Sequence, residues 1–145
     1  MAFEFRFDRM MRINENEKQI LERQYNEMYQ HLEKQAKKLI ELMQKKDMLQ
    51  NRLEKIKQEK VMVSDVIDMT RVLSRLSDHI IEEQHRYNQI KIRVEKFRQK
   101  LLEKSIELKK FEKLKVMKKQ HYDWQEKQRE SFIMDEKAMI NYLRH

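Results

Sequence analysis

Residues 66–111 read VIDMTRVLSRLSDHIIEEQHRYNQIKIRVEKFRQKLLEKSIELKKF, and the spacing of their apolar side chains decides the fold. Val66, Leu73, Ile80, Tyr87, Val94, Leu101 and Leu108 recur every seven residues. Met69, Leu76, Ile90, Phe97 and Phe111 occupy the intervening position, which Glu83 and Lys104 interrupt. Twelve of these 14 seam positions are apolar. Alternating steps of three and four residues place them on one stripe of an α-helix, the stripe that turns toward a partner helix in a coiled coil.

A second stripe precedes the first. Met11, Tyr25, Leu32, Leu39 and Leu53 hold one position and Phe7, Leu21, Met28, Leu42, Leu49 and Ile56 the other. Asn14, Lys18, Gln35 and Lys46 interrupt it, leaving 11 of 15 positions apolar. The two registers do not join: sevens counted on from Leu53 give Lys60, Ile67 and Ser74, one residue away from the Val66 series. A turn is therefore expected near residues 59–64, between a first helix of about 4–58 and a second of about 65–142. Ser64 is a candidate N-cap, with Asp65 as an acid in the first turn. An antiparallel hairpin turning there sets residue i near residue 123 − i, so that Phe7 meets Val116. Beyond Phe111 only four of nine seam positions remain apolar, Tyr122, Phe132, Met139 and Leu143. Residues 118–145 are accordingly expected to overhang the first helix. The architecture implied is all-α: one long antiparallel two-helix coiled-coil hairpin of about 80 Å with a C-terminal helical overhang. A parallel dimer or trimer of one continuous helix is the competing arrangement, and the register slip argues against it.

Composition agrees. The 145 residues include no glycine, proline or cysteine, and 40% are charged. Turn-rich sandwiches and βαβ folds draw on glycine and proline for their reversals, and phosphate-cradling loops need glycine for close backbone approach. Thiolate zinc sites, Fe–S clusters, disulfides and thiol nucleophiles are excluded. No apolar run approaches the roughly 18 residues of a membrane span, and the start lacks a secretory signal's apolar stretch, so a cytoplasmic protein is expected. None of the histidines (His31, His79, His85, His121, His145) lies four residues from another, and the one Glu-x-x-His unit, Glu82 to His85, has no second copy. With no pocket to bury a carboxylate, the expectation is a non-enzyme with no cofactor, metal or small-molecule ligand. Of 11 methionines, Met11, Met28 and Met69 fall on the seam as gap-fillers.

The net charge of +8 is concentrated in residues 91–119, with 12 basic and four acidic side chains. Such a window is either a mostly solvated charged face or one that suits an acidic protein surface, an anionic membrane face or nucleic acid. Nucleic acid ranks behind an acidic protein, because Phe97 and Phe111 sit on the seam and are not free to stack on bases.

The ends of the chain carry a resemblance. Phe3-x-Phe5-x-Phe7-x-x-Met10-Met11, followed by Glu15 and Glu17, resembles the opening of FliJ-type flagellar export proteins. Glu107-Leu108-Lys109-Lys110-Phe111-Glu112-Lys113-Leu114 is similar to that family's Lys/Glu-rich segment, and Met134-Asp135-Glu136 to its late hydrophobic-Asp-Glu. The resemblance implies an antiparallel two-helix stalk of flagellar type III secretion, similar to the stalk of rotary ATPases. It would work in the cytoplasm, peripheral to the inner face of the membrane, and serve motility. Implied partners are the export ATPase hexamer, whose assembly and activity it promotes, the cytoplasmic domain of the membrane export gate protein, and substrate-chaperone complexes. Carried onto this chain, the gate contacts are Val72, Leu76, His79 and Glu83. The ring-inserted end comprises Phe3, Phe5, Phe7, Lys109, Lys110, Lys113, Lys115, Trp124 and Phe132. Phe3 and Phe5 are expected to close the open end of the hairpin against residues near 118–120. The stalk of a virulence-type secretion system and a basic nucleic-acid-binding coiled coil are the alternatives. Alone, the chain is expected to be a monomeric hairpin.

Overall fold

A computed structural model describes residues 2–59 and 62–144. Helix α1 runs over Asp8–Gln58 and helix α2 over Val63–Arg144, 51 and 82 residues long. Among the described residues there is no strand, and no helix is long and apolar enough to cross a membrane.

α1 begins at Asp8, four residues later than the spacing alone suggests, because Phe5 to Phe7 form a turn closed by the Asp8 amide donating to the Phe5 carbonyl at 3.1 Å. Asp8 places its carboxylate in the first turn, where the helix dipole favours an anion, and accepts from the guanidinium of Arg12 one turn on. Lys55 and Lys57 complement the opposite pole. α2 starts at Val63, one residue before Ser64, so Ser64 lies inside the first turn and does not cap it. The Asp65 amide donates to the Met62 carbonyl at 3.1 Å. Of the expected turn 59–64, Lys60 and Val61 lie outside the described residues. None of the described residues has positive φ, so none sits in the left-handed region that glycine would favour.

The chain forms two compact units. Unit 2, Leu21–Lys100, holds the middle of both seams. Leu39, Leu53, Ile80 and Val94 are its buried apolar residues, and the remaining seam positions between 21 and 100 are half-buried, apart from Glu83, which is buried. Full burial of a leucine, isoleucine or valine such as these four contributes about 1.5–3 kcal/mol. Unit 1 joins Met1–Ile20 to Leu101–His145. Its pairs run in opposite senses along the two segments: Phe3 with Tyr122, Asp8 with Lys115, and Glu17 with Lys104. Within this unit the segments are thus antiparallel. Phe7 packs on Phe111, not Val116, with ring centroids 6.3 Å apart. The other pairs of this unit keep within two residues of the expected 123 − i setting; Phe7 turns to Phe111 because Phe111 is a seam residue, whereas Val116 lies off the seam and is 55% exposed. All 29 seam positions from Phe7 to Phe111 are buried or half-buried. From Lys127 to Arg144 every residue is exposed.

Candidate functional site

Unit 1 gathers the aromatic N-terminus, the lysine-rich stretch and the exposed end of α2. Residues 2–7 precede α1 and are held by aromatic contacts. Phe3 lies on Tyr122 with centroids 5.5 Å apart, and Lys119 Nζ sits 5.3 Å from the Phe3 centroid and 5.6 Å from that of Tyr122. Phe5 meets Phe7 edge-on at 5.8 Å. A hollow of about 520 Å³ lies between Phe3, Phe5, Phe7, Lys118, His121 and Tyr122. The expected closure of Phe3 and Phe5 against residues near 118–120 matches this arrangement. All three phenylalanines are half-buried, since a ring with one free face can dock while the arm stays at the surface.

Two sets of lysines in this stretch differ in their partners. Three are paired: Lys104 with Glu17 and, at 3.7 Å, Glu107; Lys115 with Asp8 at 3.5 Å; Lys119 with Asp123 at 3.5 Å. Lys109, Lys110 and Lys113 are exposed, and among the described residues none of them pairs with a carboxylate. Trp124 and Phe132 are exposed as well, at 58% and 63%, the Trp124 indole stacked on His121. Ile133, Met139, Ile140 and Leu143 extend this apolar surface along α2. The ring-end residues carried over from the family therefore share unit 1 but differ in character. Phe3, Phe5, Phe7 and Lys115 are engaged within the unit, while Lys109, Lys110, Lys113, Trp124 and Phe132 face outward.

The four positions expected to meet a gate protein lie in unit 2 and separate similarly. Val72 and His79 are exposed, Leu76 is half-buried on the seam, and Glu83 is 1% exposed. Gln35, on the facing seam, donates its amide to both the carboxylate and the backbone carbonyl of Glu83, the latter at 3.1 Å. Arg86 Nη1 at 3.1 Å and Lys38 Nζ at 3.4 Å complete the shell. With its oxygens so occupied, Glu83 has no surface to offer a partner. What it can do is orient the half-exposed cations Lys38 and Arg86 beside the face that carries His79. Sequence reasoning missed the Gln35 partner. Its signal was that both stripes are interrupted by hydrogen-bonding residues about one turn from facing positions.

The ionisable contacts fix a pH response. The hydrogen bond from Gln35, and then the charges of Lys38 and Arg86, hold the Glu83 carboxyl below its ordinary range against the opposing effect of burial. Arg12, and then Lys115, do the same for Asp8. Glu17, followed by Glu107, raises the Lys104 ammonium. A depressed carboxyl stabilises the fold above its unfolded value, and that contribution is lost as pH falls through the folded value. A raised lysine stabilises below its unfolded value and loses this as pH climbs through the folded one. The melting temperature is therefore expected to be flat between about pH 5.5 and 9.5 and to fall on both sides. Glu83→Gln should flatten the acid limb, and a full acid limb in that variant would assign it elsewhere.

Among the described residues no group of three or more His, Asp or Glu converges as a metal site. Against known proteins, a family model described as "Flagellar FliJ protein" matches residues 3–145. The chain is 30% identical over 138 residues to the "Flagellar FliJ protein" of Bacillus subtilis (strain 168), covering 95% of this chain and 87% of that one. No solved structure matches it significantly.

Proposed function

Because the chain belongs to the flagellar FliJ protein family, we propose that it is a non-enzymatic component of flagellar protein export that acts as a stalk between an ATPase and a membrane gate. In this reading the unit 1 end enters the ring of the export ATPase and promotes its assembly and hydrolysis. Unit 2 meets the cytoplasmic domain of the export gate protein, and substrate-chaperone complexes dock on the same stalk. The chain then works in the cytoplasm at the inner face of the membrane. The observation that carries the reading is the exposed, amphipathic helical end of α2 beside the unpaired Lys109, Lys110 and Lys113. A helix that has left its partner while keeping an apolar face, with three free cations behind it, suits insertion into a ring lined by apolar and acidic groups. On the gate side, Val72 and His79 make the contact, and Glu83 acts through the cations it holds.

Stoichiometric addition of the chain to the cognate flagellar ATPase should raise hydrolysis several-fold and shift the enzyme toward hexamers. An unchanged rate at tenfold excess would remove the ring from the proposal. Val72→Asp with His79→Ala should leave that stimulation intact while weakening capture by the gate domain.

A further inference from the structure

The outer face of α2 in unit 1, opposite the seam, has a composition that the stalk reading does not require. Along it lie Leu102, Ile106, Lys109, Lys110, Lys113, Val116, Met117, Gln120 and Trp124, which keep to one side of the helix over about 33 Å. The apolar members are between 48% and 65% exposed. Acids appear on this face only toward its ends, at Glu103 and Asp123; Glu112 flanks it. A shallow groove of about 440 Å³ runs between Lys109, Glu112, Lys113, Val116 and Met117. Lys104, Lys115 and Lys119 each pair with a carboxylate, whereas Lys109, Lys110 and Lys113 pair with none among the described residues and offer charge to a partner.

We infer that this face docks on an anionic lipid surface. Charge complementarity selects the headgroups: three unpaired ammonium groups within one and a half turns match the density of an acidic bilayer surface. The apolar residues select the lipid over other polyanions. Nucleic acid has no use for Leu102, Ile106, Val116 and Met117, whereas a helix lying in the interface plane sinks such side chains below the headgroups. Lysine stems can bury their methylenes and lift the ammonium to phosphate level, and the indole of Trp124 suits the same depth. The seam side stays covered by the first residues of α1 throughout. Lipid docking does not depend on the ATPase reading. A lipid-bound chain cannot present the same three lysines to a ring, so the two states exclude each other.

The test is flotation of the full chain with vesicles of phosphatidylcholine alone or with one-quarter phosphatidylglycerol, at low salt. Binding is expected only with phosphatidylglycerol, with release in about 0.5 M salt. Lys109→Gln/Lys110→Gln/Lys113→Gln should weaken it about 100-fold. Val116→Ser/Met117→Ser should weaken it about tenfold. All five positions are off the seam, so helicity by circular dichroism should not change. No flotation with anionic vesicles overturns the inference, as does undiminished binding by the lysine variant. If the serine variant floats as well as the native chain, and duplex DNA competes equally, the face is a general polyanion site and the lipid assignment is wrong. Loss of flotation when an acidic amphipathic peptide is added at equimolar ratio assigns the face to an acidic helix instead.

Discussion

Replacing Gln35 and Glu83 together by leucine is expected to raise the melting temperature by about 5–10 °C, while Glu83→Ala alone lowers it by a few degrees. The asymmetry follows from where the two residues sit. Both occupy seam positions of unit 2, Glu83 at 1% exposure. Removing the carboxylate alone leaves a void in the seam, reduces the Gln35 amide to the backbone carbonyl at position 83 and strips Lys38 and Arg86 of their partner, which costs more than the bond itself contributed. Removing both lets two leucines fill the same volume without any polar group to desolvate, the substitution that often stabilises a buried ionic cluster. The polar pair has a second consequence. Apolar stripes with 3–4 spacing accept several registers and orientations, and a hydrogen-bonded pair at one seam layer admits one of them. The double-leucine chain should therefore be more stable yet less single-minded, forming concentration-dependent dimers by light scattering where the native chain is expected to remain a monomer. A double variant that melts below the native chain would show that the Lys38 and Arg86 contacts contribute more than the leucines replace.

The fold was largely legible in the sequence because a coiled coil repeats one rule. Every seam position from Phe7 to Phe111, polar interruptions included, is shielded. The interruptions were legible as residues but not as pairs. Whether Gln35 finds Glu83, or Lys104 finds Glu17, depends on a register known only to within about a turn. The start of α1 was missed for a related reason: Phe3 and Phe5 have the composition of a helix end, but Phe3 packs on Tyr122 and Lys119, more than 100 residues away, and Phe5 on Phe7. The site was less legible than the fold. Counting charge over residues 91–119 gives one broad window. In the folded chain, Arg98 pairs with Glu95, and Lys104, Lys115 and Lys119 have partners too. Among the cations left unpaired there, Lys109, Lys110 and Lys113 form a compact set with apolar neighbours, a different object from a general basic field. Likewise the family positions Val72, Leu76, His79 and Glu83 form one cluster on paper, yet burial divides them into two that can be touched and two within the seam.

Ending the chain after Tyr122 is expected to leave the melting temperature within about 2 °C of the native value and to abolish stimulation of the export ATPase. The removed residues make contacts among themselves or just across the cut, as in Arg129 with Glu126, Lys119 with Asp123 and His121 with Trp124. Exposed pairs of this kind contribute little to global stability. An isolated helical extension of this length in water is marginal unless it continues a helix already nucleated by packing, and α2 supplies that nucleus. The segment is thus carried by the fold without supporting it, and its exposed Trp124, Phe132, Ile133, Met139, Ile140 and Leu143 are available to a partner. Trp124 is the sole tryptophan, so its emission in the full chain should shift to the blue on adding the ATPase, reporting burial at this end alone. Two results would change the account in different ways. A drop of 10 °C on truncation would mean that the segment folds back onto the stalk, making its exposed face an internal one. Full stimulation by the truncated chain would move the ring contact to the aromatic arm of Phe3, Phe5 and Phe7, where Phe3→Ala would then be the substitution that abolishes it.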